Sequence, residues 1–128
     1  MSKRPGKKMP ALSPAETQVL RILWQLGSGT VQQVLDDLPA GRKITYATVQ
    51  TLLRRLEAKG YLKHKSAGRA YVFSPAIKAS DVIRRTVGDF VERLYGGDPV
   101  PLMMHLADSA SLDAADIERL KKLIEKAK

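Results

Sequence analysis

Apolar positions in this 128-residue chain recur mostly at intervals of three and four, the spacing of one helix face. Val19, Ile22, Leu23 and Leu26 make a first stripe that ends at Gly27. Ser13-Pro14-Ala15-Glu16 ahead of it supplies an N-cap, a proline at the first helical position and a glutamate at the third. Thr30-Val31-Gln32-Gln33 repeats the capping signature, and Val31, Val34, Leu35 and Leu38 line a shorter helix ending before Pro39. From Ile44 to Gly60, Val49, Leu52, Leu53 and Leu56 share one face, while Ala47, Gln50, Thr51, Arg54 and Arg55 lie on or beside the opposite one. Thr45 caps this helix, Ile44 and Val49 are spaced as a hydrophobic staple, and Gly60 is its left-handed stop.

The rhythm then changes. Two short strands flank Ser66-Ala67-Gly68-Arg69, predicting a hairpin that carries Lys63, Lys65 and Arg69. After Ser74-Pro75 helical spacing returns: Ser80 is placed to cap a helix with Val82, Ile83, Val87, Phe90, Val91 and Leu94 inward, stopped by Gly96-Gly97. Leu102, Met103 and Leu106 mark a brief apolar helix as far as Asp108. Leu112 to Ile117 then opens a final one with Ile117, Leu120, Leu123 and Ile124 on its apolar face. The expected fold is mainly α with a small β hairpin. It comprises a flexible basic arm at 1–11, a winged helix-turn-helix DNA-binding domain at 12–76 and a helical dimerisation domain at 77–128. Three helices in so short a lobe bury little surface alone, so their apolar faces are expected to meet a second copy of the chain, the alternative being that they pack back on the first lobe of the same chain.

Charge separates the same two regions. Residues 1–78 hold 14 Lys and Arg against 4 Asp and Glu, and residues 79–128 hold 8 against 9, so the net charge of +9 resides entirely in the first part. Such clustering points to a polyanion, and nucleic acid is the expected partner. There is no cysteine, which excludes disulfides and thiolate metal sites. MSKRPGKKMP has no apolar run behind it, and no segment has the length of apolar residues that would insert into a membrane, so a cytoplasmic protein is expected. His64 and His105 stand far apart with no carboxylate at ligand spacing, and neither a P-loop nor G-x-G-x-x-G is present. No enzyme activity, metal or cofactor is expected.

A helix-turn-helix unit presents the N-terminal half of its recognition helix to base edges while flanking groups hold phosphates. Ala47, Thr48, Gln50, Thr51 and Arg54 are therefore assigned to bases. Gln50 suits adenine, the Ala47 or Thr51 methyl suits thymine, and Arg54 reads guanine or clamps phosphate. Lys43, Thr45, Tyr46, Arg55, Lys63, Lys65 and Arg69 are assigned to phosphates.

LSPAETQVLRILWQLGSGTVQQVLDDL, ITYATVQTLLRRLEAKGYLKHKSAGRAYVFSP, LYGG and LDAADIERLKKLIEKAK together resemble the penicillinase-repressor family over residues 11–126. Glu16, Trp24, Thr48-Val49-Gln50-Thr51-Leu52, Arg55-Leu56 and Lys59-Gly60 stand where that family has its counterparts. The resemblance implies a homodimeric transcriptional repressor that binds palindromic TACA/TGTA operators and is joined through its C-terminal helices. It further implies inactivation by proteolysis, triggered by a membrane sensor-protease. The family's Asn-Phe cleavage bond falls opposite His105-Leu106 here, a departure in sequence. A copper-responsive relative's cysteine cluster is missing, which excludes copper sensing through thiolates. Two alternatives stay open: a winged-helix regulator controlled by a small ligand between the C-terminal helices, and a winged-helix module that docks protein without reading DNA.

Overall fold

In the computed structural model, residues 9–39, 44–109 and 111–127 are described. The order is α1 (Pro14–Leu26), α2 (Val31–Asp37), α3 (Tyr46–Ala58), β1 (Leu62–Ala67), β2 (Ala70–Pro75), α4 (Ala79–Tyr95), α5 (Val100–Ser109) and α6 (Ala114–Ala127). Contacts divide the chain into two units between Val82 and Ile83.

Each of the first three helices begins where its side chains satisfy the free amides of the first turn. Ser13 Oγ accepts from the Glu16 amide at 3.1 Å while Glu16 Oε1 accepts from the Ser13 amide at 2.8 Å. Thr30 and Gln33 repeat this reciprocal box, and Thr45 Oγ1 accepts from the Thr48 amide. α3 ends in a Schellman turn: the Tyr61 amide donates to Leu56 O and the Gly60 amide to Glu57 O, with Gly60 at φ +93°.

The first unit's core lies among the inward faces of these helices and the base of the hairpin. Leu20, Leu23, Val34, Val49, Leu53 and Leu56 are fully enclosed, and Tyr61, Leu62 and Phe73 close the hairpin side. β1 and β2 pair antiparallel with His64 opposite Phe73 and Ala67 opposite Ala70, leaving the two-residue loop Gly68-Arg69. Gly68 has φ +64°, a conformation that two-residue hairpin loops require and that costs glycine little. Gly29 adds a single-residue third strand, exchanging both backbone bonds with Phe73 at 2.9 and 2.8 Å. Gly27, with φ +83°, is the helix stop that the sequence predicts, but Gly29 has this further pairing role.

The structure differs from the sequence expectations at the edges of this unit. Residues 1–8 of the expected arm lie outside the described residues. Its last residues are held: Tyr61 Oη donates to Pro10 O at 2.6 Å, Lys59 Nζ donates to Ala11 O at 2.8 Å, and Met9 packs on the core. At the other boundary the unit extends past residue 76, because Ile77 and Val82 pack with the same core. Val82 was expected on the dimerisation face. It is buried among the winged-helix residues instead. Ser80 does not cap α4, because the Lys78 carbonyl already accepts the Val82 amide and the helix starts at Ala79.

The second unit contains the rest of α4 with α5 and α6. Asp113 Oδ1 accepts from the Asp116 amide and Asp116 Oδ2 from the Asp113 amide, so α6 begins at a reciprocal cap. Phe90 meets Tyr95 edge-on with ring centroids 6.2 Å apart. Val91 is buried, Leu102 is half-buried, and α5 buries no residue at all. Ile83, Val87, Phe90, Leu94, Met103, Leu106, Ile117, Leu120 and Ile124 are exposed.

Candidate nucleic-acid interface

α3 is amphipathic because its buried positions fall three and four apart, so the intervening ones turn outward. Val49, Leu53 and Leu56 are completely enclosed, whereas Thr45, Tyr46, Ala47, Thr48, Thr51, Arg54 and Arg55 are exposed and Gln50 is half-buried. Ala47, Thr48, Thr51, Leu52 and Arg55 line one shallow depression along the outward side. Its lining combines small and methyl-bearing residues with the guanidinium-bearing Arg55. Thr51 Oγ1 donates to Ala47 O at 3.0 Å, and Thr48 Oγ1 shares a hydrogen bond with Thr45 Oγ1 at 3.0 Å. With the hydroxyl donor of Thr51 engaged, its free capacity is that of an acceptor and a methyl group.

The hairpin adds a second cationic element. Lys63, Lys65 and Arg69 are exposed, and no ion pair among the described residues involves them, Arg54 or Arg55. The same pleat that turns Lys63 and Lys65 to one face of β1 turns Leu62 and His64 to the other. Lys43 lies outside the described residues. Every other residue assigned from sequence to DNA is located on α3, at its cap or on the hairpin.

Two contacts between titratable side chains were not legible in the sequence. Lys59 Nζ stands 2.6 Å from Glu16 Oε1, and Glu16 is 2% exposed. Burial opposes ionisation of Glu16 most strongly of any single influence. The Lys59 ammonium and the Ser13 amide and hydroxyl together outweigh it, holding the carboxyl below its ordinary value. The second pair is His64 Nδ1 with Glu57 Oε2 at 2.6 Å, where the His64 ring also stacks on Tyr71 with centroids 4.4 Å apart. Neither pair has helical or cross-strand spacing, so no periodicity could have found it.

Among the described residues no group of three or more His, Cys, Asp or Glu is gathered as a metal site, and no helix is long and apolar enough to cross a membrane. What the geometry assembles is a capped helix with a small, polar, cationic outer face, followed by a basic hairpin fixed to that helix's far end. These features define a winged helix-turn-helix DNA-binding protein. Residues 12–126 match the penicillinase repressor family, and the chain belongs to it. The protein is thus a DNA-binding transcriptional repressor of that family.

The penicillinase repressor of Bacillus licheniformis is 31% identical over 122 residues, covering 95% of each chain. That of Staphylococcus aureus is 28% identical over 119 residues, covering 93% of this chain and 94% of the relative. Among solved structures, the DNA-binding domain of the repressor BlaI is 37% identical, with a TM-score of 0.51, over 59% of this chain and 93% of that one.

Proposed function

We propose that the chain represses transcription as a homodimer whose two α3 helices read the half-sites of a palindromic operator. Ala47, Thr48, Gln50, Thr51 and Arg54 face the bases. Thr45, Tyr46, Arg55, Lys63, Lys65 and Arg69 hold phosphates, joined by Lys43. Two-fold symmetry in the protein demands the same symmetry in its operator, and each half-site adds to the other through the shared tether.

The observation that carries this reading is the second unit's open apolar surface. Phe90, Leu94, Leu120 and Ile124 are 41, 63, 43 and 49% exposed, although they occupy the apolar stripes of amphipathic helices. A monomer seldom leaves so many large apolar side chains in water. A second copy of the same unit would cover them. Relief of repression follows from a cut within this unit by a membrane-bound sensor-protease, with His105-Leu106 on exposed α5 as the candidate bond. Separating the two arms would return each to weak half-site binding, with no ligand pocket required. The repressor would act in the cytoplasm, where its operator is.

Light scattering coupled to gel filtration, paired with a binding titration on palindromic and half-site duplexes, tests the proposal. Dimer mass and much tighter binding to the palindrome are expected. A monomeric mass at binding-saturating concentration, or equal affinity for both duplexes, would refute it.

A further inference from the structure

We infer that Glu57 and His64 are positioning residues for DNA binding: their contact fixes the hairpin to α3, so that Lys63 and Lys65 engage phosphates in register with the bases under that helix. The inference rests on the DNA-reading role proposed above. Glu57 is in the last turn of α3 and His64 is in β1, beyond the Gly60 turn, and their facing atoms are 2.6 Å apart. Neither is deeply buried, since both side chains are 32% exposed. Their contact is directional rather than space-filling. The ring is held from two more sides, stacked on Tyr71 and tilted against Phe73 at 5.5 Å.

Strand geometry gives this contact its consequence. His64 is flanked in β1 by Lys63 and Lys65, whose side chains emerge from the other face of the strand. Holding His64 inward against Glu57, Tyr71 and Phe73 therefore holds both ammonium-bearing side chains outward at a set angle to α3. Phe73 itself is buried in the core and backbone-paired to Gly29, so the hairpin base is firm and the Glu57 contact governs what lies beyond it.

The sign of the Glu57 effect separates positioning from simple charge. Glu57 is an anion close to the proposed phosphate-binding surface, and if it acted only through its charge, its removal would raise affinity for DNA. Positioning predicts the reverse.

The test uses the full chain and a duplex that the wild-type protein selects from a random-sequence pool. Glu57→Ala and His64→Phe, the latter retaining an aromatic ring against Tyr71, are each expected to weaken binding about 3- to 10-fold, as for the loss of one hydrogen bond of ordinary net strength. The dependence of log affinity on log salt should become shallower by about 1 to 2 as wing phosphates are released. Discrimination between the selected duplex and single-base variants under α3 should persist. Lys65→Ala should weaken the wild type but add little in the His64→Phe background, because misplaced cations have no contact left to lose. His64→Gln, which can still donate to Glu57, should recover part of the affinity. Glu57→Ala binding more tightly, an unchanged salt dependence, or full additivity with Lys65→Ala would overturn the inference. Failure of the wild-type chain to select any duplex would instead refute the DNA-reading role on which it rests.

Discussion

Lys59, one residue past the end of α3, reaches Glu16 in the first turn of α1, across 43 positions of sequence, with Nζ 2.6 Å from Oε1. The same ammonium donates to Ala11 O, and Glu16 also accepts from the Ser13 amide. One buried carboxylate therefore ties together the cap of α1, the end of α3 and the chain entering the domain. Because Lys59 is engaged, it differs from Arg54, Arg55, Lys63, Lys65 and Arg69, which have no ion pair among the described residues.

Glu16 has a lowered pKa in the folded protein, relative to an ordinary value of 4.5. A depressed folded value means that its contribution to stability is complete above about 4.5 and is lost as pH falls through the lower folded value. Denaturant unfolding at descending pH should show this loss in the wild type and much less of it in Glu16→Gln. At neutral pH the same substitution should cost roughly 1–3 kcal/mol, since the ammonium loses its charged partner. Equal acid sensitivity in both proteins would assign the effect to other groups.

Leu53 is on the buried side of α3 and is fully enclosed. Leu53→Ala should destabilise the winged-helix unit by about 2–5 kcal/mol through lost burial and the cavity left behind. The folded fraction should bind DNA as before, because the outward residues are untouched. Urea unfolding followed by active-site titration of DNA binding separates the two effects.

Arg54 is exposed on α3 with no ion pair among the described residues. Arg54→Ala should cost about 1–3 kcal/mol of operator binding and relax specificity at one base pair if it reads guanine. Lys63→Ala should weaken all sequences alike and reduce the salt slope by about 1. Fluorescence anisotropy over a set of single-base duplex variants distinguishes these patterns.

The depression lined by Ala47, Thr48, Thr51, Leu52 and Arg55 presents methyl-bearing residues on the outward side of α3. Replacing each operator thymine in turn by uracil removes only the 5-methyl, and one such change per half-site should weaken binding measurably. Thr51→Ser should abolish that preference while retaining the hydroxyl. A uniform response across all thymines would argue against a methyl contact at this place.

Leu120 is 43% exposed on α6. If a second copy covers it, Leu120→Glu should halve the mass measured by sedimentation equilibrium and lower affinity for a palindromic duplex by about 10²- to 10⁴-fold through lost avidity. Half-site affinity should barely change. A variant that remains dimeric would move the interface elsewhere on the unit.

Local chemistry made much of this protein legible from sequence. Ser13 with Glu16, Thr30 with Gln33, Thr45 and Gly60 are where the sequence places them, because caps and stops act within a few residues of themselves. The outward face of α3 followed from periodicity for the same reason. Only the tertiary structure decided which distant groups meet. Gly29 pairs with Phe73, Glu16 binds Lys59, Glu57 holds His64, and Tyr61 fastens Pro10, all through contacts that no periodic spacing encodes. Val82 illustrates the difference most clearly. Its place in the apolar stripe of α4 said that it would be buried, which is a property of its helix face. That it is buried with the winged-helix core was decided by where the start of α4 packs.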